Sequence, residues 1–208
     1  MYLTVKHAGV HEIVVNKSRF ICSLARVQTQ EEAIAYIKKI KKDYHNATHN
    51  PYAYIIGENK TVQKANDDKE PSGTAGVPIL EILKKNSLTD IICVVTRYFG
   101  GVKLGAGGLI RAYAQAAAET IKKTGIIKKQ EMYQIIVEFP YSLVSVFENK
   151  LRDYYVNEKL FLEQVQYIFR VETDRLQLFI DYIVELSGNN IKYKLGDKIF
   201  SEIDYIPE

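Results

Sequence analysis

Two groups of residues able to do chemistry lie in one run of the chain, between Asn66 and Tyr113. The first is acidic: Asp67, Asp68 and Glu70 surround Lys69 and precede Pro71. Carboxylates this close together can ligate Mg²⁺ or act as a general base. The second is a glycine-dense stretch holding Gly100, Gly101, Gly105, Gly107 and Gly108, five of the chain's 12 glycines. Arg97 stands before it, Lys103 within it and Arg111 after it. Glycine lets backbone N–H groups face outward and lets a bulky partner approach the main chain. With cations and a following helix N-terminus added, the stretch suits an anionic ligand.

Several chemistries fall away on spacing alone. No Gly-Lys-Ser/Thr closes the glycine stretch, so it is no Walker A loop. Ile110 stands where GxGxxG needs its third glycine, which removes the dinucleotide fingerprint. Two readings remain open: a tight strand-to-helix crossover, and an anion-contacting loop. Arg97 followed by Tyr98 and Phe99 could set a phosphate contact beside a stacking surface. The competing role for Phe99, and the favoured one, is core packing. Arg111 could reach a phosphate or pair with Asp67, Asp68 or Glu70. The acidic turn is tied to no histidine or nucleophile by a recognisable spacing, and turn chemistry accounts for it. No catalytic residue is assigned. His45 and His49 are four apart, but the helix should end there and no third ligand follows, so no metal site is expected. His49 is expected to pack or hydrogen-bond near the motif strands. Cys22 and Cys93 read as core residues.

The elements that must position these groups follow from periodicity. HEIVVNKSRFICSLARV predicts two strands joined at Asn16–Lys17. Thr29 with Glu32 forms a capping box before Ala33, Ile37, Ile40 and Tyr44 at helical spacing. PYAYIIG and TVQKA predict strands. Thr74 is the expected N-cap of a helix reaching about Lys85. DIICVVTRY is apolar on both faces, as a central strand should be. The next helix should bury Ile110, Tyr113, Ala117 and Ile121 and stop at Gly125. GIIKKQEMYQ is the expected linker. Beyond it come strand (132–139), helix (142–155), two strands within 158–171, helix (174–187, opened by Asp174 and Gln177) and strand (191–203). That βαββαβ order belongs to a ferredoxin-like sandwich.

The 208 residues suffice for one large or two small domains. A hydrophobic fraction of 47% with 25% charged residues is that of an ordinary globular protein. A net charge of +3 requires any nucleic-acid site to be a local patch. Two cysteines exclude a disulfide scaffold, no signal peptide is visible, and no apolar run reaches membrane-helix length. A cytoplasmic protein with no membrane partner is expected.

DDKEPSGTAGVPIL and RYFGGVKLGAGGLIRAY resemble the two signatures of the YigZ/IMPACT family, and KSRFI at 17–21 with AYIIG at 53–57 fits the same N-terminal domain. The resemblance implies an α+β protein of two domains. Residues 1–127 would form a two-layer sandwich like domain 2 of ribosomal protein S5, and residues 130–208 the ferredoxin-like sandwich. Both are similar to late domains of the translocation elongation factor. It further implies a non-enzymatic, translation-associated protein that binds RNA or the ribosome, without a cofactor. The contact surface would be Arg97, Tyr98, Gly100, Gly101, Lys103, Gly105, Gly107, Gly108 and Arg111, with Lys17 and Arg19 as flanking phosphate contacts. Asp67, Asp68 and Glu70 would form the acidic motif patch, and His49, Gly73, Thr74 and Gly76 the structural part of the motif. One alternative is a protein-interaction module, since the eukaryotic relatives regulate translation by binding a partner of a stress kinase. The other is a Mg²⁺-dependent phosphate-processing enzyme using the three carboxylates. The family's acidic turn reads Asp-Gly-Glu-Pro, and here Lys69 takes the glycine's place. A left-handed backbone costs a non-glycine residue about 1 kcal/mol or more, so a reshaped turn is expected.

Overall fold

In the computed structural model, which describes residues 1–205, the chain alternates strands and helices throughout. Its first half runs β1 (Tyr2–Val5), β2 (Gly9–Val15), β3 (Ser18–Arg26), α1 (Gln30–Asp43), β4 (Tyr52–Ile56), β5 (Val62–Asn66), α2 (Gly76–Lys85), β6 (Ile91–Tyr98) and α3 (Gly105–Thr124). There follow β7 (Ile126–Phe139), α4 (Val144–Lys150), β8 (Tyr155–Phe161), β9 (Val165–Glu172), α5 (Leu176–Leu186) and β10 (Lys192–Tyr205). Two compact units result, Met1–Lys129 with the chain from Ile203, and Gln130–Glu202. No helix among the described residues is long and apolar enough to cross a membrane.

The first unit holds a sheet in the order β2-β3-β6-β4-β5. Asn16 and Lys17 join β2 to β3 with φ values of 45° and 64°, the left-handed pair whose twist matches a tight hairpin. β6 sits between β3 and β4, and its side chains alternate between two cores. Ile91, Cys93 and Val95 pack with Phe20, Leu83 and Tyr113, on the side of α2 and α3. Ile92 and Val94 pack with Ala33, Ile37 and Ile40 of α1 on the other side. The sheet is therefore covered on both faces, and the expected two-layer arrangement is corrected to three layers. A strand apolar on both faces requires this, since one face would otherwise be left in water. Cys22 and Cys93 are free thiols 3.4 Å apart inside the first core.

Local signals set the helix starts to different degrees. The Thr29 hydroxyl accepts the Glu32 N–H at 3.2 Å, while the Glu32 carboxylate reaches back to the Gln28 N–H at 2.7 Å. This is a capping box displaced by one residue, and α1 begins where its spacing predicts. α3 ends at Gly125, φ 74°, also as predicted. Its buried stripe is Leu109, Ala112, Tyr113, Ala116, Ala117 and Ile121, so Ile110, placed there by periodicity, is exposed instead.

The segment expected to be a linker is part of β7, an uninterrupted strand of 14 residues. Its first residues pair with β1, Tyr2 opposite Lys129 and Val5 opposite Ile126. In the second unit the strand order is β10-β7-β9-β8, around a core that includes Ile135, Phe139, Phe147, Phe169, Phe179 and Ile183. The helix expected over 142–155 is regular only from Val144 to Lys150, after a tight turn at Tyr141–Leu143. Asp174 lies in a similar turn, Thr173–Arg175, and caps nothing; Gln177 bonds Asp181 at 2.9 Å instead.

Candidate functional site

β5 ends at Asn66 and the chain turns at once through the acidic residues. The turn closes with the Glu70 N–H on the Asp67 carbonyl at 2.9 Å, and Asp68 and Lys69 occupy it at φ 43° and 70°. Lys69 thus adopts the left-handed backbone that glycine would take more easily. The left-handed backbone at this position costs a lysine about 1 kcal/mol.

Each carboxylate of the turn is committed to a structural partner. Asp67 accepts the N–H groups of Gly73 at 2.9 Å, Ala75 at 3.0 Å and Gly76 at 2.8 Å. It therefore caps α2 from nine residues upstream. Thr74, the expected cap, instead donates its hydroxyl to the Pro71 carbonyl at 2.7 Å. Burial raises the Asp67 carboxyl, but the three N–H donors outweigh it and hold the group below the ordinary carboxylate range. Gly76 is required here, because a Cβ would come within 2.5 Å of the Asn66 backbone nitrogen. Asp68 accepts Lys41 Nζ at 2.6 Å and the Asn50 N–H at 2.7 Å. Burial raises it as well, and those two donors turn the net shift downward. Its carbonyl accepts His49 Nδ1–H at 2.9 Å, which leaves His49 Nε2 at 3.9 Å from Glu70 Oε1.

Glu70 is the innermost of the three, with a side chain only 3% exposed. Its Oε1 accepts both Arg97 Nη1 and the Tyr113 hydroxyl at 2.7 Å. Burial first, and this bond second, push the Tyr113 phenol far above its ordinary value. Arg97, 7% exposed, lies 5.5 Å from the Phe20 ring and 5.7 Å from the Phe99 ring. Its buried Nε–H has no acceptor among the described residues. The pairing considered for Arg111 is made by Arg97 instead, and it joins the acidic turn to the end of β6. Sequence spacing carried no sign of the Lys41 and Tyr113 partnerships.

The glycine loop is seated at one end and open beyond it. A Cβ on Gly100 would lie 2.0 Å from the Lys17 carbonyl carbon, so the loop rests directly on the β2–β3 hairpin. The Gly100 N–H also donates to Ser18 Oγ at 3.2 Å. Gly101, Lys103, Gly105, Gly107 and Arg111 are exposed, Gly108 and Tyr98 half-buried. Phe99, favoured for the core, is 49% exposed, with the Arg97 guanidinium 5.7 Å from its ring. Lys17, Lys103 and Arg111 make no side-chain hydrogen bond or ion pair among the described residues. Arg19 is occupied: it grips the Glu12 carboxylate at 2.8 and 2.9 Å and lies 5.3 Å from the Tyr98 ring. The first turn of α3 has neither an acidic residue nor a side-chain cap, so its N–H groups face outward.

Between turn and loop lies a cavity of about 360 Å³, lined by His49, Glu70, Pro71, Arg97, Phe99, Lys103, Leu104 and the first residues of α3. It brings the two signatures into one site. No cluster of three or more His, Cys, Asp or Glu residues among the described residues is placed to hold a metal ion. The site's carboxylates are engaged, while Lys103 and Arg111 and the uncapped start of α3 have no side-chain partner among the described residues, beside the apolar Phe99 and Leu104.

Comparison with known proteins covers the same ground. IMPACT family member YvyE of Bacillus subtilis is 47% identical over 211 residues, covering 100% of this chain and 97% of that protein. An IMPACT family member of Haemophilus influenzae is 32% identical over 198 residues, covering 93% and 96%. A crystal structure of a hypothetical protein matches in fold, with a TM-score of 0.60 and 24% identity over 92% of this chain and 95% of that one. The family model described as the Impact N-terminal domain matches residues 16–121, a span that contains the hairpin, the acidic turn, the cavity and the glycine loop. The site thus lies inside the Impact N-terminal domain, and the chain belongs to the IMPACT family.

Proposed function

We propose that this chain is a non-enzymatic, translation-associated protein that binds RNA or the ribosome through the surface around Lys103 and Arg111. The observation that carries the reading is the set of unpartnered cations, Lys17, Lys103 and Arg111, beside exposed Phe99 and the uncapped start of α3. Exposed cations with an aromatic ring between them suit a phosphate backbone with accessible bases. Arg97 supports the site from beneath, through Glu70, and does not reach a phosphate itself. We assign the motif domain to residues 1–127 and read it as S5-like with an added helix layer. Residues 130–208 we read as ferredoxin-like, on the βαββαβ order and the strand order β10-β7-β9-β8. The cytoplasm is the compartment this function needs.

Titration of single-stranded RNA and of ribosomes against the Lys103→Ala, Arg111→Ala double variant tests the reading. Binding should weaken at least tenfold, and the slope of affinity against salt should fall by about 2. Unchanged binding and slope would overturn it. A second reading, a protein-interaction module, is favoured by the exposed apolar side chains Phe99, Val102 and Ile110 on the same surface. A partner retained after nuclease treatment supports that reading. The phosphate-processing enzyme has the least support, because Asp67, Asp68 and Glu70 are each held by structural donors.

A further inference from the structure

We infer that the cavity beneath Phe99 receives one unstacked nucleobase, whose phosphate is held by Lys103 and the first N–H groups of α3. The inference deepens the RNA reading and rests on it. Four observations converge on the cavity. Its volume of about 360 Å³ lies at the small end of ligand sites, suited to a single nucleoside and too small for a strand. Its rim carries the half-exposed Phe99 ring, with the Arg97 guanidinium 5.7 Å away on the inner side. An aromatic ring backed by a cation is a strong platform for a base face. Leu104, Leu109 and Pro71 supply apolar walls.

The polar groups at the floor are few and specific. Arg97 borders the cavity, more than nine-tenths buried, and its Nε–H lacks an acceptor among the described residues. That nitrogen is closed off from solvent and hence from the open cavity, so what Arg97 gives the site is the charge of its guanidinium behind the Phe99 ring. His49 is fixed by its Nδ1–H bond to Asp68, so Nε2 is the nitrogen left to face a ligand. At the mouth, Gly105 and Ala106 open the 20-residue helix α3 without a side-chain cap, and Lys103 beside them has no partner among the described residues. An anion at the mouth and a planar ring within is the chemistry of a nucleotide. A peptide carboxylate would satisfy the mouth but leave the stacking face unused.

The chain has 0 tryptophans, so 2-aminopurine fluorescence can be read without competing emission. A single-stranded RNA carrying one 2-aminopurine should be quenched on binding. The same oligonucleotide with an abasic site should bind about tenfold more weakly, the usual scale of one base stacked on an aromatic ring. Phe99→Ala should abolish the quench. Ala106→Leu, at an exposed helical position lining the cavity, should do the same while leaving the folded state intact. Equal binding of the base-bearing and abasic strands, without quenching, would overturn the pocket and leave the RNA reading standing. If neither strand binds, the RNA reading fails, and NMR titration with nucleoside 5′-monophosphates and with inorganic phosphate decides on the pocket. Shifts at Phe99 and His49 with the nucleotides alone support it. Equal response to phosphate, or no response to either, overturns it and leaves the surface to a protein partner.

Discussion

The acidic turn and the glycine loop carry opposite charges, and the fold treats them in opposite ways. All three carboxylates of the turn face inward to fixed donors: backbone N–H groups for Asp67, Lys41 and Asn50 for Asp68, Arg97 and Tyr113 for Glu70. The cations of the loop divide. Arg97, on the strand side, is drawn in to neutralise Glu70, whereas Lys103 and Arg111 are exposed and have no partner among the described residues. A buried charge is tolerated only when matched, so the inward set must be complete before the outward set can be spared for a ligand. The difference separates groups that hold the site together from groups that remain free to bind.

Substitutions can break or sharpen this division. The largest effect is expected at Glu70. Glu70→Ala leaves Arg97 buried and uncompensated, and denaturant melts should report a loss of about 3–5 kcal/mol. A loss below about 1 kcal/mol would mean that the two signatures are not joined through this pair. Asp67→Asn comes next, removing the charge of the α2 cap, for about 1–2 kcal/mol. Its pH dependence has a definite sign. The folded Asp67 carboxyl is lowered, so its contribution is whole above the unfolded value of about 3.9 and is lost as pH falls through the folded value. Wild-type and Asp67→Asn melting temperatures should therefore differ at pH 7 and converge in acid below about pH 4. Lys69→Gly relieves the left-handed strain and should stabilise by about 0.5–1 kcal/mol, read as a higher melting temperature. The smallest change belongs to Lys103→Ala with Arg111→Ala, within about 0.5 kcal/mol of wild type. Should that pair destabilise as much as Asp67→Asn, the loop would belong with the turn as scaffold.

What could be read in the sequence was what is decided locally. The α1 cap, the Asn16–Lys17 turn and the Gly125 stop each depend on residues a few positions apart, and each forms where the pattern predicts. The α2 cap does not: Asp67 reaches Gly76 across a turn, while Thr74 has the right side chain at the right offset and a better acceptor nearby in Pro71. Arg97 and Phe99 exchange their expected places for a tertiary reason. Glu70 arrives from another part of the chain to draw the arginine in, and Phe99, with that guanidinium beside its ring, is left half-exposed. Residues 125–134 read as a linker or boundary because their charges interrupt an apolar pattern; the division between the two compact units, after Lys129, does fall among them, but as strand and not as loop. They contain no proline and only Gly125, so nothing in them stops a strand, and β1 supplies the pairing that makes one.

The contact between Gly100 and the Lys17 backbone, with no room for a methyl group, has a consequence for how a ligand is met. A loop resting on a hairpin at one end and running into a 20-residue helix at the other has little freedom left to lose. Its ordering is completed when the protein folds, before any ligand arrives, so association carries only a small further loss of chain entropy. Gly100 therefore acts less as a hinge than as a clearance, letting two pieces of backbone lie close together where the loop begins.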